Sequence, residues 1–234
     1  MGKLTTMGLT GLLALVLAAG VARLLDPANG DLSETAGATY ERDSVYSFED
    51  LGELVATSRF VLHGRVVDVE QGEPQRLPDG SGVERVTRYL VVEVDEQLFS
   101  RYAGARLSSR IRVSDGYWEG GRGYASASRP WAQPGDEGYF LVTRGRDPRG
   151  ELVSTYDVLD DAGRVLVDGD DLELAGEGDG AWDRIDPGTP AEVRAALDDA
   201  VRAARSGEAR PVLVTVCHPS VPGDESSEPV CVRE

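Results

Sequence analysis

Histidine and cysteine are scarce in this chain, with two of each among 234 residues. No G-x-S-x-G elbow, H-E-x-x-H pair or Walker loop occurs. That removes the motif-bearing hydrolases, the zinc proteases and the phosphate-loop nucleotide binders. Gly121-Arg122-Gly123 lacks the flanking spacing of a dinucleotide fingerprint. Basic charge is short as well: 24 Lys and Arg stand against 41 Asp and Glu, a net charge of −17. Setting aside Lys3 and Arg23, which precede every acid, the remainder holds 22 basic and 41 acidic groups, or −19. Phosphate backbones and anionic lipid surfaces are bound by Lys and Arg that neutralise them, so this balance disfavours both, nucleic acid above all. Acidity of this kind also keeps an exported protein soluble without any specific role. No cofactor and no metal-ligand set is expected from this inventory.

What the chain does have is an apolar start. Leu4 to Ala22 carries no charge and follows Lys3. Nineteen helical residues extend about 28 Å, close to the roughly 30 Å hydrocarbon core. The positive charge ahead of the segment places the rest of the chain on the outer side. Two fates follow. Gly20-Val21-Ala22 has the small-x-small form of a cleavage site, giving a secreted protein cut near Ala22. Leu24 and Leu25 extend the run past Arg23, which favours a retained single-pass anchor in the cell membrane with the domain outside. No Cys follows the run, so a lipoprotein anchor is excluded.

Residues 1–25 are therefore expected to form a signal anchor or signal peptide, one apolar helix, and residues 26–43 a flexible linker. Residues 44–216 form the extracytoplasmic domain, and 217–234 a tail closed by a Cys217–Cys231 disulfide. Outside the cytoplasm an isolated pair this close is expected to oxidise. Closing so short a loop contributes about 3 kcal/mol. A metal site at Cys217, Cys231 and His218 is the alternative use of these side chains.

Within the domain, Ser47-Phe48-Glu49-Asp50 reads as a helix cap with an acid three residues on. A short helix to about Ser58 is expected, its apolar face Phe48, Leu51, Leu54 and Val55. Strands are expected at Phe60 to Glu70, around Val86 to Asp95, and from Arg106 to Val113. Others are expected at Tyr139 to Val142, Leu152 to Val158, Val165 to Val167 and Val212 to Val216. The clearest element is a helix over 189–206: Thr189 and Glu192 form a capping box, Pro190 opens it and Gly207 stops it. Its apolar stripe is Val193, Leu197, Ala200, Val201 and Ala204. The reading is a mainly β (α+β) fold, a small barrel or sandwich clad by two helices.

The succession SFEDLGELVATSRFVLHGRVVDVEQG, RYLVVEVDEQL, PGDEGYFLVTRG and STYDVLDDAGRV resembles uncharacterised exported proteins of high-GC Gram-positive bacteria. The likeness covers roughly Ser47 to Val167. It implies an OB-like β-barrel behind a signal or anchor segment, and no activity. The chain departs from the usual OB layout in that its clearest helices flank the strands, with none expected between the third and fourth.

Four constellations bear on function. The stretch from Gly116 to Pro134 is expected to be a loop, combining Tyr117, Trp118, Tyr124 and Trp131 with Gly120, Gly121 and Gly123. Such a loop either contacts a ligand, sugar or peptide, through its rings or folds back to plug the barrel end. Asp160 to Asp186 holds ten acids, without the spacing of a calcium loop, and reads as solvated turns. Arg106, Arg110 and Arg112 form a basic row that Glu93 and Asp95 on a neighbouring strand can pair. His63 lies inside the first strand, where a structural role or a dispersed Ser–His–Asp site are both readings. Together they point to a cell-envelope binding module for protein, glycan or divalent cation. An extracytoplasmic hydrolase with a dispersed site is one alternative, a structural accessory of a membrane complex the other.

Overall fold

The computed structural model describes residues 38–40, 48–77, 81–126, 131–146, 152–174, 180–182, 184–213, 215–218 and 230–233. The apolar segment 4–22 and most of the expected linker lie outside them. Among the described residues no helix is long and apolar enough to cross a membrane.

Among the described residues the fold is mainly β with two helices. In chain order it runs β1 (Ala38–Tyr40), α1 (Leu51–Thr57), β2 (Phe60–Gln71), β3 (Gln75–Arg76), β4 (Glu84–Ser100) and β5 (Arg110–Glu119). It continues with β6 (Arg122–Ser126), β7 (Glu137–Arg146), β8 (Leu152–Val158), a 3-10 turn (Asp161–Gly163), β9 (Arg164–Asp168) and β10 (Asp171–Leu174). α2 (Pro190–Ser206), β11 (Thr215–His218) and β12 (Val230–Arg233) follow. β2, β4 and β5 form an antiparallel meander, and β7 returns to the free edge of β2. β8 pairs antiparallel with β7 and, through Val113 and Tyr156, parallel with β5. β9 and β10 extend the sheet beyond β7, and β6 and β1 extend it beyond β5.

Phe60–Leu62 of β2 and Tyr139–Val142 of β7 are buried on both faces, which explains the continuous apolar run of each stretch. One face collects Phe60, Leu62, Val66, Leu90, Val92, Ile111, Val113, Phe140 and Val142. The other carries Val61, Tyr139 and Leu141 beneath the two helices, with Leu54, Val55, Val193 and Leu197 packed on them. Val193 and Leu197 are fully buried and contribute about 1.5–3 kcal/mol each. α2 starts and stops as its sequence requires: Thr189 Oγ1 accepts from the Glu192 amide, and Gly207 takes the left-handed conformation.

Several expected boundaries shift. Asp50, not Ser47, caps α1, its carboxylate accepting from the Glu53 amide at 2.9 Å. The Glu53 carboxylate accepts from the Glu49 amide, one residue before the cap, so the cap stands three residues later than expected. The stretch from Gly116 onward is not a loop at its start. β5 runs to Glu119, a two-residue turn at Gly120-Gly121 reverses it, and β6 pairs back. Both turn glycines have positive φ, 57° and 79°, as a type I′ hairpin requires. The acidic stretch is more than solvated turns. Asp160 caps the 3-10 turn, β10 pairs with β9, and buried Trp182 donates from Nε1 to the Ala162 carbonyl. The strand expected at Val212 to Val216 is displaced to Thr215–His218.

Candidate functional site

The four aromatic residues singled out in the sequence divide by strand alternation. On β5, Tyr117 and Trp118 point to opposite faces of the sheet. Trp118 and Trp131 are buried, 5% and 8% exposed, meeting edge to face at 5.4 Å beside Ala125. They form a small buried cluster of their own, with Val69 and Val86 packed against it. Trp131 lies against backbone: a Cβ at Gly123 would stand 2.4 Å from its Cη2, and one at Gly116 2.7 Å from its Nε1. Gly116 and Gly123 thus give the indole its seat.

Tyr117 and Tyr124 occupy the other face, half-buried, and stack at 5.1 Å with 12° between their planes. The Arg85 guanidinium lies 4.3 Å over Tyr117, and that of Arg122 lies 5.8 Å from Tyr124. Glu119 holds Arg85 through Nε and Nη2 at 3.0 and 2.7 Å. Farther along the same face Arg112 covers Tyr89 at 4.4 Å and pairs with Glu70 at 2.9 Å. Arg110 reaches Glu93 at 3.5 Å, as the basic row suggested, but Asp95 is not its partner. The outer face of β4 and β5 is therefore a row of tyrosine rings and guanidiniums with acids at the margins.

Behind this face lies a charge cluster the sequence did not reveal. Asp115 is buried between Arg88, 2.5 Å away through Nη1, and Arg164. Arg88 also donates from Nη2 to the Ala132 carbonyl at 2.7 Å, and Asp115 accepts from the Ala132 amide at 3.2 Å. The Arg88 guanidinium lies 4.5 Å from the Trp131 ring. Burial pulls the Arg88 pKa below its usual range, and the neighbouring Asp115 charge opposes that fall. Together the triad and the indole fix the segment that leads into β7.

A second polar cluster sits where three strands meet. His63 on β2 pairs across to Glu96 on β4 and Tyr139 on β7. A bulge between Val94 and Glu96 leaves Asp95 unopposed. Such a bulge re-aims a side chain, and Asp95 Oδ2 comes within 3.7 Å of His63 Nδ1. From the other side Glu137 Oε1 stands 3.3 Å from His63 Nε2, while its Oε2 accepts from Arg65 at 3.1 Å. The Tyr139 ring packs on the imidazole at 4.9 Å, and burial raises the Tyr139 pKa. Glu96 accepts from Arg194 of α2 at 2.6 and 3.0 Å, and this hydrogen bonding lowers the Glu96 pKa. Arg194 also pairs with Asp198 on its own helix and borders a cleft of about 400 Å³.

Both ring nitrogens of His63 face carboxylates. A serine-type triad needs one of them on a hydroxyl. The sequence signal for the cluster was the break in alternation at Val94-Asp95-Glu96, which put Asp95 and Glu93 on one face only under ideal pairing. Compared with known proteins, the chain matches no family profile and no curated protein.

Proposed function

We propose that this protein is a binding module of the cell envelope, an OB-like barrel displayed outside the membrane and joined to it by residues 4–22. The strand pairings support the barrel. β2, β4 and β5 form the meander, β7 comes back onto β2, and β8 pairs with both β7 and β5. A five-strand Greek-key ring would have the same order, with a parallel contact between its third and last strands like that of β5 and β8. In the usual layout a helix would follow the third strand; here the β6 hairpin and the Trp131-Ala132 segment occupy that stretch of chain.

OB-type modules take oligomeric ligands on the face of their second and third strands. Here those strands are β4 and β5. The observation that carries the reading is the column on their outer face, Arg85 over Tyr117 over Tyr124, with Arg122 beyond. OB faces serve oligonucleotides or oligosaccharides, and the net charge of −19 outside the apolar start turns the choice toward envelope glycan. The orientation of His63 between two carboxylates weighs against the hydrolase alternative.

The test is co-sedimentation of the full chain, in detergent, with purified cell-wall glycan. Tyr117→Ala/Tyr124→Ala is expected to weaken binding at least tenfold, since both rings would lose the apolar area they bury against the sugar. Unchanged binding by a folded double variant would remove the β4–β5 face from the proposal.

Location is tested separately. Cys217 and Cys231 stand directly opposite in the register of β11 and β12, which supports the disulfide expected of an exported chain. Thiol alkylation of the cell-fractionated protein is expected to label neither cysteine until a reductant is added, with the protein in the membrane fraction. Soluble cytoplasmic protein with two reactive thiols would reject the envelope address.

A further inference from the structure

We propose that His63, Asp95 and Glu137 form a binding site for a divalent transition metal, of which zinc is the reference ion. The three residues come from the adjacent strands β2, β4 and β7, and one ligand atom from each lies within 4.8 Å of the others. An imidazole with two carboxylates is a mixed nitrogen and oxygen set. It suits zinc or its neighbours in the series, whereas calcium and magnesium prefer oxygen throughout. Three protein ligands leave the fourth position of a tetrahedral ion to water.

One ligand pair already has the separation the ion needs. Two ligands bound at about 2.0–2.2 Å in a tetrahedral arrangement stand roughly 3.3 Å apart. His63 Nε2 and Glu137 Oε1 already have that separation, at 3.3 Å. Asp95 lies by the other ring nitrogen, 3.7 Å from Nδ1, and its half-exposed side chain at the bulge would have to swing toward Nε2 to complete the set.

The surroundings hold the other two ligands in place. Arg65 fixes the second oxygen of Glu137, which leaves Oε1 to turn toward the ring. Tyr139 supports one face of the imidazole. Orientation of ligands by such neighbours is the usual companion of a metal site. The nearby Glu96 is engaged by Arg194, so its charge is compensated and it remains outside the ligand set. Two carboxylates against one arginine leave the immediate site electronegative, as a cation requires. None of the sequence features that suggested cation binding, the acidic turns after Asp160, contributes to it.

The proposal does not depend on the envelope address or on the β4–β5 face. Zinc chloride titrated calorimetrically into the full chain in detergent micelles should bind in a one-to-one ratio. A background of Cys217→Ser, Cys231→Ser and His218→Ala removes the remaining soft ligands and should leave that binding intact. In this background Asp95→Asn, Glu137→Gln and His63→Ala should each weaken zinc at least tenfold. Loss of a ligand's supporting partner already costs roughly 10–100-fold, so tenfold is the least expected from loss of a direct ligand. Cobalt substituted for zinc should show visible absorption bands that disappear in the same variants. Asp95→Asn alters a half-exposed side chain and is the variant that keeps its fold, monitored by circular dichroism. Absence of stoichiometric zinc uptake by the wild type overturns the proposal. So does equal affinity in wild type and Asp95→Asn, or uptake that disappears with the cysteines and His218.

Discussion

Asp115→Ala is expected to destabilise the domain by about 3–5 kcal/mol, lowering the melting temperature by roughly 6–20 °C. The aspartate is 3% exposed and accepts from two buried arginines and the Ala132 amide. Removing it leaves positive charge in a low-dielectric interior after the neutralising group has gone. The cost arises from breaking a buried set of charges, and does not measure what the intact set adds over an apolar core. Asp198→Ala, which removes an exposed pair to Arg194, is the comparison and should cost less than about 1 kcal/mol. Urea unfolding of the two variants checks both values. A loss below 1 kcal/mol for Asp115→Ala would mean that water reaches the triad.

The second large effect concerns Trp131 and its seat. Trp131→Ala should cost about 3–5 kcal/mol, because the ring fills the space between β5, β6 and the Arg88 guanidinium. Gly123→Ala alone should cost about 1–3 kcal/mol, since its methyl would overlap the indole. In a Trp131→Ala background the same methyl meets an empty site, so the two changes should be coupled by 1 kcal/mol or more. Strictly additive losses in a double-mutant cycle would show that the glycine is needed for some other reason. These expectations also bear on ligand binding. A tryptophan variant that loses its ligand through unfolding says nothing of the outer face, which is why the tyrosines are the informative positions.

The elements that could be read from sequence are those whose signals are local. α2 carries its cap, first-turn proline, apolar stripe and stop within one continuous stretch, and it folds as Pro190–Ser206. Leu152–Val158 likewise has the bounds expected of it. What escaped depends on partners far along the chain. Arg88 alternates in phase with Leu90 and Val92 and so faces inward, but nothing near it on β4 showed that a buried carboxylate on β5 would receive its charge. Arg164 lies beside an acidic turn and gave no sign that its partner was Asp115, 49 residues away. The glycines of 116–123 suggested a loop because sequence carries no record of the ring that presses on Gly116 and Gly123. Asp95 meets His63 only because one residue is extra on β4, a property of the pairing rather than of either strand. The tyrosine face was half legible: the residue types pointed to contact, but only the alternation along β5 separates Tyr117 from Trp118.

β2 and β7 each serve as a wall with apolar side chains on both sides, Val61 and Leu141 toward the helices, Phe60 and Phe140 away from them. Neither compartment can be emptied without stripping a surface from the other. The helical layer is therefore not a detachable cover, and a sequence change that loosens its footing will be felt behind the partition it shares.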